Sequence, residues 1–460
     1  MLLKNKLKEL KMVLNKGNVL TALEERYCYA RDALNLEIEI KTPDLVVFVE
    51  TIEDVQKVLK YANEEKIPVI ARGAGTNMVG ACVCTEGGII LNFSKMNKII
   101  EINPMNLTAK VQPGVILGDL KDEVEKFNLF YPPDPSNYRV STVGGSIAQS
   151  SGGAKSFKYG TTKDYILSLK VVTADGNLMQ LGVETPKDAT GYHLAQLMVG
   201  SEGTLAIVVE ATLKLIPKPE RNKTIVAYFD NVSKAVLAVN ELISQHIFPA
   251  SIDFMDNNSI TTVEDFMNCG LDKAAKCLLL IELDGSEVAI SEQVEKCQKS
   301  LLDSEAFSVI IPDTDYESEK YLKARRSSYA AATRLAPDVV SDDIIVPREF
   351  LAQMIECCNM TANKYDLKVC VVGHIGDGNI HPQFVLNLKN EEEYRNYKNA
   401  KSEIYSYVKN FGGTISAEHG IGLEKKAYMN EIIDQRSLDY MKLIKKIFDP
   451  KNILNPGKIF

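Results

Sequence analysis

The chain has 460 residues, 45% of them hydrophobic and 25% charged, with a formal net charge of −8 and nine cysteines. That length holds about two or three domains with ample core, and the composition is that of an ordinary globular protein. The acidic balance excludes nucleic acid or an acidic membrane surface as the main partner. An odd cysteine count with no ferredoxin-type C-x-x-C run suits reduced thiols in a cytoplasmic setting without an iron–sulfur cluster.

Met1 to Lys16 is locally basic (Lys4, Lys6, Lys8, Lys11, Lys16), with leucines at helical spacing. It reads as a surface helix, with an interfacial or targeting helix as the alternative. Lysines interrupt every apolar run there, so it is no signal peptide, and no later stretch is long and apolar enough to span a bilayer. From Pro43 short strands alternate with helices: a strand from Leu45 to Val49, a helix from Ile52 to Glu65, a strand at Val69 and Ile70. A glycine-rich run follows, in which Arg72, Gly73, Ala74, Gly75, Thr76, Asn77 and Gly80 close the turn. Such a turn lets backbone N–H groups approach a phosphate. It lacks the dinucleotide fingerprint, because Met78 stands at the third glycine position, and it lacks the lysine of a P-loop. A plain glycine-rich connection is the alternative.

A second cluster holds Pro133 and Asp134, then Thr142, Gly144, Gly145, Ser151 and Gly152, then Tyr159. A third holds Glu202 and Gly203 ahead of a strand from Ala206 to Leu215 that includes Ile207. Small residues at this density make a poor core and a good surface for a flat ligand. Three such segments in one region imply a single long cofactor lying across a domain.

Pro217 and Pro219 mark a domain boundary. Beyond it two units repeat the order strand, helix, strand: Thr224–Phe229, Val232–Gln245 and Ala250–Met255, then Cys277–Leu283, Val288–Leu302 and Phe307–Pro312. They fit a ferredoxin-like antiparallel sheet with helices on one face. Glu317 to Leu335 is helical and carries Arg325 and Arg326.

Gly373 to His381 reads GHIGDGNIH. Asp377-Gly378 is a two-residue hairpin signal, which would set His374 directly opposite His381 with their Cβ atoms about 4.5–5.5 Å apart. With Glu418 downstream, His374 and His381 form a two-histidine, one-carboxylate set suited to a divalent metal: zinc first, iron or manganese as alternatives. His419 is the candidate general base, since a neutral imidazole titrates near working pH; its alternative role is to orient a metal ligand.

Segments 68–80, 132–153 and 200–208 resemble the FAD-binding domain of the vanillyl-alcohol oxidase and p-cresol methylhydroxylase superfamily. With H-x-G-D-G-N-x-H and A-E-H-G-I-G, nearly the whole chain resembles the FAD-linked 2-hydroxy-acid dehydrogenases, which include D-lactate dehydrogenase, the glycolate oxidase large subunit and D-2-hydroxyglutarate dehydrogenase. The resemblance implies an α+β architecture: a two-part FAD-binding domain over residues 1–216, a ferredoxin-like cap over 217–415, and a helical segment over 416–460 that returns to the FAD domain. It implies pyrophosphate on Arg72 to Asn77 and Gly80, and flavin and ribityl on Pro133, Asp134, Thr142, Gly144, Gly145, Ser151, Gly152 and Tyr159. The adenine end would reach Glu202, Gly203 and Ile207, and the tail residues Asn455 and Lys458 would touch the cofactor. No histidine stands in the first loop, so FAD is expected to be held non-covalently. Ala206 stands where many relatives have glycine.

The resemblance also implies that Arg325 anchors the substrate carboxylate. The hydroxyglutarate branch is expected to carry a lysine shortly before the D-x-x-V-P strand, where this chain has Ser341 and Asp342. That favours a small monocarboxylate, D-lactate first, over D-2-hydroxyglutarate. Electrons would leave through a separate acceptor such as an electron-transferring flavoprotein. The non-enzyme alternative is an FAD-binding subunit of a larger oxidoreductase.

Overall fold

The computed structural model describes residues 18–36 and 39–460. The basic N-terminal stretch Met1 to Lys16 lies outside the described residues.

The first half is built on two sheets. In the smaller one, strands Leu45–Phe48, Ile89–Asn92 and Val69–Arg72 run parallel, with Val19–Leu20 antiparallel at one edge. Helix Ile52–Glu65 covers this sheet with Val55, Val58, Leu59 and Ala62. It starts where it does because Thr51 and Asp54 form a reciprocal capping box. The chain returns at its far end to finish the sheet. Leu454 bridges Val69 in parallel, with Val69 N–H donating to Ile453 (2.7 Å) and Asn455 N–H donating to Val69 (2.8 Å). The second sheet is antiparallel, in the order Ile99–Asn103, Thr108–Val111, Ile207–Lys214, Ile166–Val172, Leu178–Gly182. Arg72, at the end of the parallel strand Val69–Arg72, leads into the first glycine-rich turn.

The second half holds an eight-stranded antiparallel sheet. Four of its strands lie in the order Ser308–Ile310, Arg221–Phe229, Cys277–Gly285, Ser251–Asp256. By sequence position that is 4-1-3-2, the arrangement of two interlocked β-α-β units. The hairpin Lys368–His374 and Asn379–Leu386 extends the sheet past Ser251–Asp256, followed by Asp338–Ser341.

Helices cover both faces rather than one. Val232–Ser244, Glu287–Asp303 and Leu351–Lys364 pack on the face of Ile225, Ala227, Ile252, Phe254, Leu279 and Ile281. Asn257–Met267, with Ala324 and Ala331, packs on the opposite face of Val226, Tyr228, Met255, Leu278 and Leu280. The cause lies in the strands. Cys277 to Leu283 is apolar at nearly every position, so both faces need cover. The expected helix from Glu317 to Leu335 divides into Asp315–Arg326 and Ser328–Ala332.

The hairpin register differs from expectation. His374 pairs with Asn379 and His381 pairs with Val372, so four residues, Ile375 to Gly378, make the connection. A two-residue type I′ turn needs positive φ at both central residues. Here Gly378 has φ +90°, but Asp377 is not among the positive-φ residues. The longer turn is held by neighbours: a Cβ on Gly376 would stand 2.6 Å from the Phe157 ring, and one on Gly378 would overlap the Val346 carbonyl.

Candidate active site

Shifting the register by two residues keeps His374 and His381 on one face, now as diagonal rather than opposite neighbours. Their ring centroids are 5.4 Å apart at 81°. Asp253, directly across from His374 on the neighbouring strand, accepts from its Nδ1 at 2.7 Å. The Nδ1 of His381 donates to the Asp342 carbonyl at 3.2 Å. A carbonyl can only accept, so the His381 proton sits on Nδ1 and the Nε2 lone pair is free; the Asp253 carboxylate imposes the same tautomer on neutral His374. Burial alone would lower the His374 pKa, but the Asp253 carboxylate more than reverses this and pushes it up to about 9.

The third imidazole arrives with Glu418 on the loop Ser416–Gly422. His419 stacks on His381 at 5.2 Å and 16°. Glu418 Oε1 lies 3.4 Å from His381 Nε2, 3.8 Å from His374 Nε2 and 3.8 Å from His419 Nε2. With metal–ligand bonds near 2.0–2.1 Å, the edge of a tetrahedral site is about 3.3–3.4 Å, so these atoms stand close to ligating separation. His419 Nε2 is as near to Glu418 as His374 Nε2 is, and by distance alone it belongs to the cluster as much as the expected ligands do. Burial would raise the Glu418 pKa, yet the surrounding imidazoles hold it below the usual carboxylate range. The His419 pKa is lowered, first by burial, against the pull of Asp343; a neutral ring able to accept a proton follows.

Asp343 also brings a carboxylate oxygen to within 4.8 Å of ligand atoms of His381, Glu418 and His419. Its lone pairs are already committed. One oxygen accepts from Ala417 N–H (2.9 Å), Glu418 N–H (3.0 Å), His419 N–H (2.9 Å) and the Ser416 hydroxyl (3.0 Å), and the other from Asn379 Nδ2 (2.8 Å). Asp343 shapes the loop; His381 and Glu418, with His419 beside them, offer the free donors, and His374 joins them on giving up its Nε2 proton. Burial raises the Asp343 pKa, but His419, Lys425 and these hydrogen bonds hold it well below the usual range.

Arg325, 7% exposed, pairs with Asp253 at 3.3 Å and leaves its Nε with no partner. One Asp253 oxygen therefore serves both a histidine and the arginine. Arg326 is committed elsewhere, to Glu319 at 2.6 Å.

These side chains form one end of a cavity of about 690 Å³, within the range of cofactor and substrate sites. Arg72 to Asn77, Thr142, Gly144, Gly145, Ser151, Glu202, Gly203 and Ile207 line the rest. Seven expected cofactor residues stand outside its wall. Gly80 packs under Leu34 and Leu423, Pro133 is buried, and Asp134 accepts from Lys155 N–H at 3.3 Å. Gly152 backs Glu418, where a Cβ would stand 2.8 Å from Oε2. The Tyr159 hydroxyl donates to Asp284 across to the cap sheet (2.6 Å), and Asn455 donates to the Ala81 and Glu202 carbonyls (2.9 and 2.7 Å). Lys458 donates to the Val83 carbonyl at 2.8 Å.

Residues 43–182 match the FAD binding domain family and residues 218–459 match the FAD linked oxidases, C-terminal domain. The chain belongs to the FAD-linked oxidases. The Bacillus subtilis glycolate oxidase subunit GlcD is 42% identical to this oxidase over 91% of this chain and 89% of its own length. The D-lactate dehydrogenase of Anaerostipes hadrus is 35% identical over 91% and 89%, and the D-2-hydroxyglutarate dehydrogenase of Stutzerimonas stutzeri is 31% identical over 98% of each. In fold, p-cresol methylhydroxylase with substrate bound superposes with a TM-score of 0.83 at 17% identity, covering 99% of this chain and 96% of that one.

The oxidase fits FAD on its own geometry. Among the described residues, Gly73 to Met78 donate no main-chain N–H to a protein acceptor, which leaves a concave row of donors for an anion. Gly75 has φ +73°, and a Cβ there would overlap the Arg72 guanidinium. Gln149 Oε1, buried on the cavity wall, has no partner.

Sequence reasoning missed Asp253, Asp343 and the use to which Glu202 is put. The available signal was an acid inside an otherwise apolar strand, as with Asp253 between Ile252 and Phe254.

Proposed function

We propose that this FAD-linked oxidase oxidises a small D-2-hydroxy acid to the 2-oxo acid, with D-lactate the leading substrate. The observation that carries the reading is the single cavity with a glycine-rich cofactor cradle along one part of its wall and three imidazoles, Glu418 and Arg325 at one end. Bound FAD supplies the acceptor for the C2 hydride, and a divalent metal on His374, His381 and Glu418 supplies Lewis-acid polarisation of the substrate oxygens. His419 takes the hydroxyl proton at Nε2 as the C–H bond breaks. Arg325, held by Asp253, presents its unpaired Nε–H to the carboxylate.

Substrate size follows from the cations. No lysine lines the cavity, Lys364 is engaged with Glu403 at 2.7 Å, and Ser341 stands on the wall. Beside the histidines Arg325 already shares Asp253 and Arg326 is held by Glu319, so a second carboxylate would gain no uncommitted arginine there, which supports a monocarboxylate over hydroxyglutarate. The 42% identity to a protein named glycolate oxidase subunit GlcD favours a second reading: glycolate as substrate, and a place within a multi-subunit oxidase. In either case a separate acceptor, first an electron-transferring flavoprotein, takes the electrons. Among the described residues no helix is long and apolar enough to cross a membrane. All nine cysteines are free thiols, which supports a cytoplasmic location.

The test is anaerobic bleaching of the flavin by D-lactate, L-lactate, glycolate and D-2-hydroxyglutarate, each compared by rate. D-Lactate is expected to be fastest; fastest bleaching by D-2-hydroxyglutarate would sink the monocarboxylate reading.

A further inference from the structure

From Ala417 to Glu424, every main-chain donor of the loop that carries Glu418 and His419 has an acceptor. Asp343 takes the N–H groups of Ala417, Glu418 and His419. The Ser416 hydroxyl takes that of Gly420 at 2.9 Å, and the Val79 carbonyl takes those of Leu423 and Glu424 at 2.8 and 3.2 Å. The remaining two belong to Glu202: Oε1 accepts from Ile421 N–H at 2.7 Å, and Oε2 accepts from Gly422 N–H at 2.9 Å. Asp343 comes from the cap half, next to the strand Asp338–Ser341. Glu202 comes from the third glycine-rich segment, 219 positions earlier in the chain than Ile421.

Glu202 is itself rigidly placed. Its backbone adopts φ +53°, uncommon for a residue with a side chain. Its N–H donates to the Ala148 carbonyl at 2.8 Å, and its carbonyl accepts from Asn455 Nδ2 at 2.7 Å. The loop is shaped to receive it: a Cβ on Gly420 would stand 2.8 Å from Glu202 Oε1. The other two glycine-rich segments touch the same loop, through Asn77 Nδ2 on the His419 carbonyl (3.2 Å) and Gln149 beside Gly420. Both carboxylate oxygens of Glu202 are spent on this loop, so its side chain serves the histidine end of the cavity rather than the adenine end of the cofactor.

We propose that Glu202 is a positioning residue for Glu418 and His419, acting through the main chain of Ile421 and Gly422. The proposal rests on the reading above that Glu418 binds a metal. Removing the carboxylate frees one buried and one partly buried N–H group and lets the loop relax away from the point where Glu418 Oε1 meets the imidazoles. Residues that orient ligands in this way govern metal affinity by about 10–100-fold.

The experiment titrates Zn²⁺ into full-length, FAD-loaded wild type, Glu202→Ala and Glu202→Gln against a chromophoric chelator, with flavin absorbance and melting temperature recorded for each. Glu202→Ala is expected to bind Zn²⁺ about 10–100-fold more weakly at unchanged flavin content. Glu202→Gln, which keeps an amide oxygen for one N–H, is expected to recover part of that loss. Should Glu202→Ala fold poorly or lose flavin, Glu202→Gln alone decides, with a loss of several-fold expected. Wild-type Zn²⁺ affinity in a folded variant overturns the positioning role while leaving the metal reading intact. Absence of Zn²⁺, Mn²⁺ and Fe²⁺ binding by wild type instead removes the metal reading, and this inference with it.

Discussion

Two glycine-rich loops face the same cavity and use their backbones in opposite ways. Between Gly73 and Met78 the main-chain N–H groups have no protein acceptor among the described residues, so they are available to an anion. Between Ala417 and Glu424 all of them are satisfied, five by the carboxylates Asp343 and Glu202. Glycine permits tight turns in both loops, but what the turn is for depends on what stands beneath it. An unsatisfied row of donors is free to meet a ligand directly. A satisfied row is a fixed platform that holds the side chains of Glu418 and His419 on the cavity wall. Glycine content alone therefore says little about where a phosphate will sit.

The largest effect should come from the platform's cargo. His419→Ala is expected to slow anaerobic flavin reduction by about 10²–10⁴-fold while FAD absorbance stays normal; an unchanged rate would remove His419 from proton transfer. Next is the platform itself. Asp343→Asn should destabilise the fold by about 3–5 kcal/mol at pH 7, because it breaks a buried, charge-assisted array. The native pKa of Asp343 is depressed, so its contribution is full above the unfolded value of about 3.9 and lost as pH falls below that. The gap between wild type and Asp343→Asn in urea unfolding should thus hold from pH 7 to 5 and narrow at pH 3; a gap independent of pH would break the account. Smallest is the open row. Gly75→Ala forces an alanine to φ +73° against Arg72, with a cost of about 1–3 kcal/mol, and FAD affinity should weaken while Zn²⁺ binding holds. Equal loss of both ligands would erase the distinction between the loops.

The contrast also shows what the chain discloses in one dimension. Local patterns were readable: three glycine-rich segments, two strand–helix–strand units, and histidines close enough to share a face. The hairpin register was not, since Asp377-Gly378 is a sound local turn signal and its rejection depends on Phe157 and Val346 packing against the turn. The acids were least legible of all. Asp253 meets a histidine 121 positions away, and Asp343 meets a loop 74 to 76 positions away. In sequence Asp342 and Asp343 look like a poor welcome for a second substrate carboxylate. In the fold Asp343 faces main-chain donors, and Asp342 joins Lys401, Lys425 at 3.0 Å and the Tyr405 hydroxyl at 2.9 Å in a buried network. Nothing local distinguishes those two uses of a carboxylate.

The bridge that Leu454 makes to Val69 has a consequence for how the protein is made. Val69, already paired with Ile89 on one side, finds the partner for its other side only there, and Ala81 is capped by Asn455, which emerges 374 positions later. During translation the cofactor half therefore waits with an unfinished sheet edge and an open glycine-rich turn while the entire cap is synthesised. Contacts of such sequence separation make closure slow, and the waiting edge is open to pairing with other chains. Early binding of FAD to the nascent half, or a holding chaperone, would shorten that exposure. Deleting residues 449–460 should release protein that aggregates through its first half while its cap remains foldable.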